Sequence, residues 1–164
     1  MMDIVAFNGE MLELGYSKVY HASDFNIVFG GPKINRKAVE DKKVDMLVSP
    51  ERGSGRDSLT QRDSGLNQVL CTLARKNQVA IGFSFSDILN AKYRTSLLGK
   101  IMQNIRLCRK YKVKMVFASF ANTKFEMRNA NDMLAFCRVL GMDGSEANEA
   151  LNFKKKDPLV KIVE

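Results

Sequence analysis

Glu51 and Asp57 fall within one polar, glycine-bearing stretch, residues 49–62, and Asp63 directly follows it, near enough in sequence for two carboxylates to pair for acid and base work. The same carboxylates can equally cap helices or hold Arg52, Arg56 and Arg62. Ser84 and Ser86 flank Phe85 without the GxSxG turn that exposes a nucleophile, and the only histidine, His21, leaves them no second imidazole as base. Hydrolytic metal centres need several converging ligands, and the chain has no HxH, no HExxH and no cysteine cluster. Gly30-Gly31 follows the apolar run at 27–29 as a phosphate loop would, but Pro32 comes next and neither GxGxxG nor GxxxxGK[ST] is present, so a tight turn is expected. No catalytic residue and no metal ligand is assigned.

The chemistry that remains is electrostatic. From Ile88 through Phe125 there is no Asp or Glu, and nine cations stand there: Lys92, Arg94, Lys100, Arg106, Arg109, Lys110, Lys112, Lys114 and Lys124. Such a one-signed field attracts a polyanion through the sum of its charges, and nucleic acid is the expected one. The formal net charge of +8 agrees, although an anionic membrane surface or a simply solvated basic face would also suit it.

These residues need a scaffold, and 164 residues with 45% apolar content suffice for one domain, 1–164, with a real core. No stretch approaches the ~20 apolar residues of a membrane span. The opening residues lack the basic start and apolar run of a signal peptide, so a cytoplasmic protein is expected. Cys71, Cys108 and Cys137 fall on apolar positions of helical patterns without a CxxC pair, which predicts buried thiols in a reducing compartment. His21 is read as a structural strand-end residue.

Strand-like and helical segments alternate. Apolar runs predict strands at 4–7, 19–20, 27–29, 44–48, 79–85 and 113–118. Apolar residues three and four apart predict a helix from Leu66 to Ala74 behind the capping candidates Asp63 and Ser64. In the next helix Leu97, Leu98, Ile101, Met102, Ile105 and Cys108 share one arc, which places Lys100, Gln103, Arg106 and Lys110 together on the opposite, exposed arc. Two more helices are expected at 130–140, ended by Gly141, and at 145–151. Alternation of this kind builds a parallel sheet, either an open doubly wound one or a barrel, and six strands fall short of the eight of a full barrel.

Four segments in order carry a family resemblance: INRKAVEDKKVDMLVSPE at 34–51, QRDSGLNQVLCTLARKNQVAIGFSFSDILN at 61–90, NIRLCRKYKVKMVFASFA at 104–121 and MRNANDMLAFCRVLGM at 127–142. Together they resemble the thirty-kilodalton protein subunit family of archaeal and eukaryotic ribonuclease P, called protein component three in archaea. The resemblance implies an α/β, TIM-barrel-like fold related to metal phosphoesterases that has lost its metal-binding histidines, here an incomplete barrel with fewer than eight strands. It implies a subunit of the ribonucleoprotein that removes the 5′ leader from precursor tRNA, with catalysis by the RNA, no cofactor on the chain and Mg2+ serving the RNA-catalysed reaction. Implied partners are the ribonuclease P RNA, a small αβ-sandwich protein subunit, the other protein subunits, and precursor tRNA as substrate of the complex.

By position in the motifs, the resemblance carries over Asn35, Arg36, Arg62, Asp63, Asn67, Arg94, Arg106, Lys110, Ser119, Arg128 and Asp132. Of these Arg94, Arg106, Lys110 and Arg128 are expected on phosphates; Arg36, Arg62, Lys100 and Lys124 complete the expected RNA-binding set. Asn35, Asp63, Asn67, Ser119 and Asp132 are motif or structural residues, Asp63 and Asp132 as helix caps, Asn67 as either a core hydrogen bonder or an RNA contact. The chain departs from the family at Phe120, where members have glycine within Ser-Gly-Ala, and at Ala130-Asn131, where they have Pro-Arg. The first strand and its helix look shortened to 1–14. Two other classes share parts of this pattern: a metal-dependent phosphoesterase of the related barrel class, and a basic structural RNA-binding protein of another particle.

Overall fold

The computed structural model describes residues 1–55, 57 and 62–154. All six expected strands form: β1 (Met2–Val5), β2 (Lys18–His21), β3 (Ile27–Phe29), β4 (Met46–Val48), β5 (Ala80–Ser84) and β6 (Met115–Ala118). β3, β4, β5 and β6 pair in sequence order, and β1 pairs with β2, every ladder parallel. The two groups join where β6 ends: Val5 bridges Ala121, Phe120 N–H donates to the Ile4 carbonyl and Ala6 N–H to the Ala121 carbonyl, both at 2.8 Å. The wall therefore runs β3-β4-β5-β6-β1-β2.

Parallel neighbours require crossovers, and among the described residues six α-helices serve them or follow the last strand: α1 (Asn35–Glu40), α2 (Gln68–Lys76), α3 (Phe85–Asn90), α4 (Arg94–Tyr111), α5 (Ala130–Val139) and α6 (Gly144–Ala150). Successive strand residues point to opposite faces, and both faces are apolar. On one, Met2, Ile4, Met46, Val48, Ala80, Val116 and Ala118 pack together with Phe25, Phe120 and Phe153. On the other, Leu47, Ile81, Phe83 and Phe117 meet Cys71 and Ala74 of α2, Ile101 and Ile105 of α4, Met133 of α5 and Ala147 of α6. The first face is too crowded for a side chain at Gly82, where a Cβ would lie 2.8 Å from Met46 Sδ and Val48 Cγ2. Gly82 leaves room for the Met46 and Val48 side chains of β4.

Several expectations are corrected. The strand expected to reach Phe85 stops at Ser84, whose hydroxyl accepts from Asp87 N–H and so caps α3. Asp63 and Ser64 do not cap α2; Asn67 does, accepting from Leu70 N–H at 3.0 Å. Asn129, not Asp132, caps α5 by accepting from Asn131 N–H. All three cysteines are buried, and burial pushes the Cys137 thiol up to about 12. His21 ends β2 and its N–H donates to Asp24.

Phe120 adopts φ 46°, left-handed backbone that disfavours a side chain. Its burial against the interior face and an edge-on contact with Phe29, centroids 6.3 Å apart, offset the strain.

Candidate nucleic-acid interface

The loops beyond β3, β4 and the start of α2 are drawn together by one buried amide. Asn35 Oδ1 accepts from Gly31 N–H at 2.8 Å, while its Nδ2 donates to the carbonyls of Pro50 at 2.7 Å and Gly65 at 2.9 Å. Gly30 and Gly65 are required beside it: a Cβ on Gly30 would fall 2.5 Å from Pro50 Cα, and one on Gly65 would overlap the Pro50 carbonyl. Gly30-Gly31 is thus a close-approach turn. Asp63 holds the same loop from outside, accepting from Gly55 N–H at 2.8 Å and Gly65 N–H at 3.3 Å.

The carboxylates of this stretch take protein partners, Asp57 accepting from Asp63 N–H at 3.0 Å. Asp57 faces Arg62 at 3.3 Å. Glu51 is buried, accepts from Asn104 Nδ2 of α4 at 3.1 Å, and has no hydrogen-bond partner for Oε1 among the described residues. Burial pushes its carboxyl up to about 7; the negative charge of Asp87 adds to this, and the Asn104 hydrogen bond and Arg52 oppose it. Asn104 also donates to the Ser64 carbonyl at 2.9 Å, so α4 and the loop are joined in the interior. Among the described residues no three His, Cys, Asp or Glu side chains come together as a metal-binding group.

The cationic residues divide into engaged and free. Lys100, expected on the exposed arc of α4, is buried: its ammonium donates to Ser54 Oγ at 2.8 Å and the Gly55 carbonyl at 3.0 Å. Gln103 is half-buried, donating to the Arg62 carbonyl at 3.1 Å. The loop over the amino-terminal half of α4 takes these two side chains out of the solvated face. Arg94 donates to the carbonyls of Ile88 and Leu89 at the end of α3. Arg36 pairs with Glu40 one turn on, at 2.8 Å. Arg109 makes a two-pronged bond to Glu146 that holds this carboxylate below its usual range. Arg128 lies over the Phe85 ring at 5.5 Å and donates to the carbonyls of Phe125 and Met127. Arg56 lies outside the described residues.

The free cations lie elsewhere along the same segment. Arg106 is exposed and makes no hydrogen bond or ion pair among the described residues; Lys110, one turn further, touches only the face of Tyr111. Lys112 ends α4 in left-handed backbone, and Lys114 precedes β6, both exposed. These four exposed cations stand on the carboxyl-terminal half of α4 and in the segment between it and β6. Lys124 leans over Phe125 on the opposite end of the wall. The structural motif residues lie apart from these cations: Ser119 is buried, its N–H donating to Asp3 Oδ1 at 2.6 Å, while Asn67 and Asp132 are exposed at helix starts. Sequence reasoning did not single out Tyr93 and Phe125, which are 73% and 76% exposed. The available signal was an aromatic residue directly after a lysine in each case.

A wall of parallel strands flanked by helices, with exposed cations at the end of α4, defines a basic α/β protein. The sequence matches the RNase P subunit p30 family over residues 7–156, and the chain belongs to that family. It is 36% identical over 154 residues to ribonuclease P protein component 3 of Methanosarcina acetivorans, spanning 92% of this chain and 61% of that protein. With the protein of that name from Thermococcus gammatolerans it shares 35% identity over 135 residues, 81% of this chain and 59% of the other. The chain thus spans about three fifths of the length of these relatives. Its fold superposes on a chain from a cryo-EM structure of archaeal ribonuclease P with mature tRNA, with a TM-score of 0.70 and 25% identity, covering 92% of this chain and 78% of that one.

Proposed function

We propose that this chain is a protein subunit of ribonuclease P, supporting the RNA that removes the 5′ leader of precursor tRNA. The observation that carries the reading is the free cationic patch Arg106, Lys110, Lys112 and Lys114 in a chain of the p30 family. Packing a catalytic RNA brings phosphates together, and lysine and arginine side chains not committed to protein partners neutralise them. On this reading Arg36, Arg62, Lys124 and Arg128 contribute at the margins, while Lys100 and Arg94 act by shaping the loops that the RNA meets. The isolated chain is inactive, and Mg2+ for cleavage is held by the RNA.

The partners of the complex follow the same reading: the ribonuclease P RNA, the small αβ-sandwich subunit and its companions, and precursor tRNA as the substrate. The wall of six parallel strands is taken as an incomplete TIM-type barrel of the metal-phosphoesterase class, whose interior the Met46, Val116 and Phe153 side chains fill. Capture of the tagged protein from cells of its source at moderate salt, with sequencing of the retained RNA, tests the function. Strong enrichment of ribonuclease P RNA is expected; enrichment of another particle's RNA, or of none, would refute it.

A further inference from the structure

Tyr93 and Phe125 stand on successive rim loops beyond β5 and β6, and no large apolar side chain among the described residues is more exposed than these two. A single exposed ring needs no partner to explain it, but two such rings each with a lysine ammonium beside it form a repeated arrangement. Their setting is the same in both loops: Lys92 Nζ lies 5.5 Å from the Tyr93 ring centroid, and Lys124 Nζ lies 5.6 Å from that of Phe125. The loops are fixed relative to each other, because Asn90 Nδ2 at the end of α3 donates to Glu126 Oε1 at 3.0 Å. The carboxylates near these rings have protein partners: Asp57 lines a cavity with Tyr93 and pairs with Arg62, Asp87 on α3 pairs with Arg52, and Glu126 adjoins Phe125. Glu126 is engaged by Ser86, Asn90 and Asn122, and although burial pushes its carboxyl up, these hydrogen bonds outweigh that and hold it ionised.

We infer that Tyr93 and Phe125 are stacking platforms for unpaired RNA bases, with Lys92 and Lys124 placed to take the adjoining phosphates. This rests on the RNA-binding reading above and adds to it a recognition mode for single-stranded segments, distinct from the phosphate patch on α4. A flat ring offers its face to any base, and an ammonium beside each ring matches the alternation of base and phosphate along a strand. A docking protein segment would be served by the rings but gives no use to a cation beside each.

The test uses the full chain with two probes, a twelve-nucleotide single-stranded RNA carrying 2-aminopurine at its centre and a twelve-base-pair RNA duplex. Stacking quenches 2-aminopurine, so wild type is expected to quench the single strand. The Tyr93→Leu/Phe125→Leu variant keeps apolar bulk without the ring; it should lose the quench and bind the single strand roughly ten-fold or more weakly, with duplex affinity unchanged. Tyr93→Phe should behave as wild type. Absence of quenching by wild type, or equal quenching and affinity in the double variant, would overturn the proposal. So would loss of a co-purifying protein with single-strand affinity retained, which would make this rim a protein-docking surface. Retention of ribonuclease P RNA, measured in parallel on wild type, separates the two readings: if it is retained while the platform fails, the subunit function stands without base stacking here.

Discussion

Glu51 shows how a residue's type can be legible when its role is not. Its position among Asp57, Asp63 and three arginines suggests a charged centre, yet in the fold it is a buried acid facing Asn104, and its carboxyl is pushed up to about 7. The sequence could not reveal this because the partner lies 53 residues away. A carboxyl raised by the fold favours its neutral form. The stability it provides is complete below its ordinary value near 4.5 and is lost as pH rises through about 7. Glu51→Gln mimics the neutral acid, so between pH 5 and pH 8 the variant should lose less stability than wild type, by up to about 3 kcal/mol in urea denaturation. Asp3, also raised by burial, falls in the same direction in both proteins and leaves a residual slope. Parallel pH curves for the two would show that Glu51 is ionised in the fold.

At the scale of elements, the strands and the long helices were legible because their apolar periods are strong: six strands were expected and six form, and α4 and α5 lie close to their expected places. The short helices α1 and α3 were not, being six residues each and too brief to show a period. The exposed arc of α4 was half right for a related reason. Helical phase places Lys100 and Arg106 on one face, but phase cannot tell that a loop held by Asn35 and Asp63 lies across the first half of it. One amide contributes three hydrogen bonds to holding that loop, two of them buried. Asn35→Ala leaves the Gly31 amide and the Pro50 and Gly65 carbonyls without this partner, which should cost about 2–4 kcal/mol in urea denaturation. A loss under about 1 kcal/mol would mean that the loops hold themselves.

The whole molecule combines a wall apolar on both faces with a formal charge of +8, and in the fold part of the basic field is engaged by the protein itself. Of the nine cations between residues 88 and 125, Arg94, Lys100 and Arg109 are engaged by protein carbonyls, a hydroxyl or a carboxylate. Net charge therefore overstates what is offered to a polyanion, and the family motifs do not separate offered from engaged residues. What is offered is concentrated at the end of α4, and among the described residues no helix is long and apolar enough to cross a membrane. The most direct measurement is the salt dependence of binding to ribonuclease P RNA by wild type and by the Arg106→Ala/Lys110→Ala variant. The variant should bind more weakly, with a log–log slope shallower by about one to two, roughly 0.7–0.9 per lost phosphate contact. Identical slopes and affinities would mean that this face meets only water.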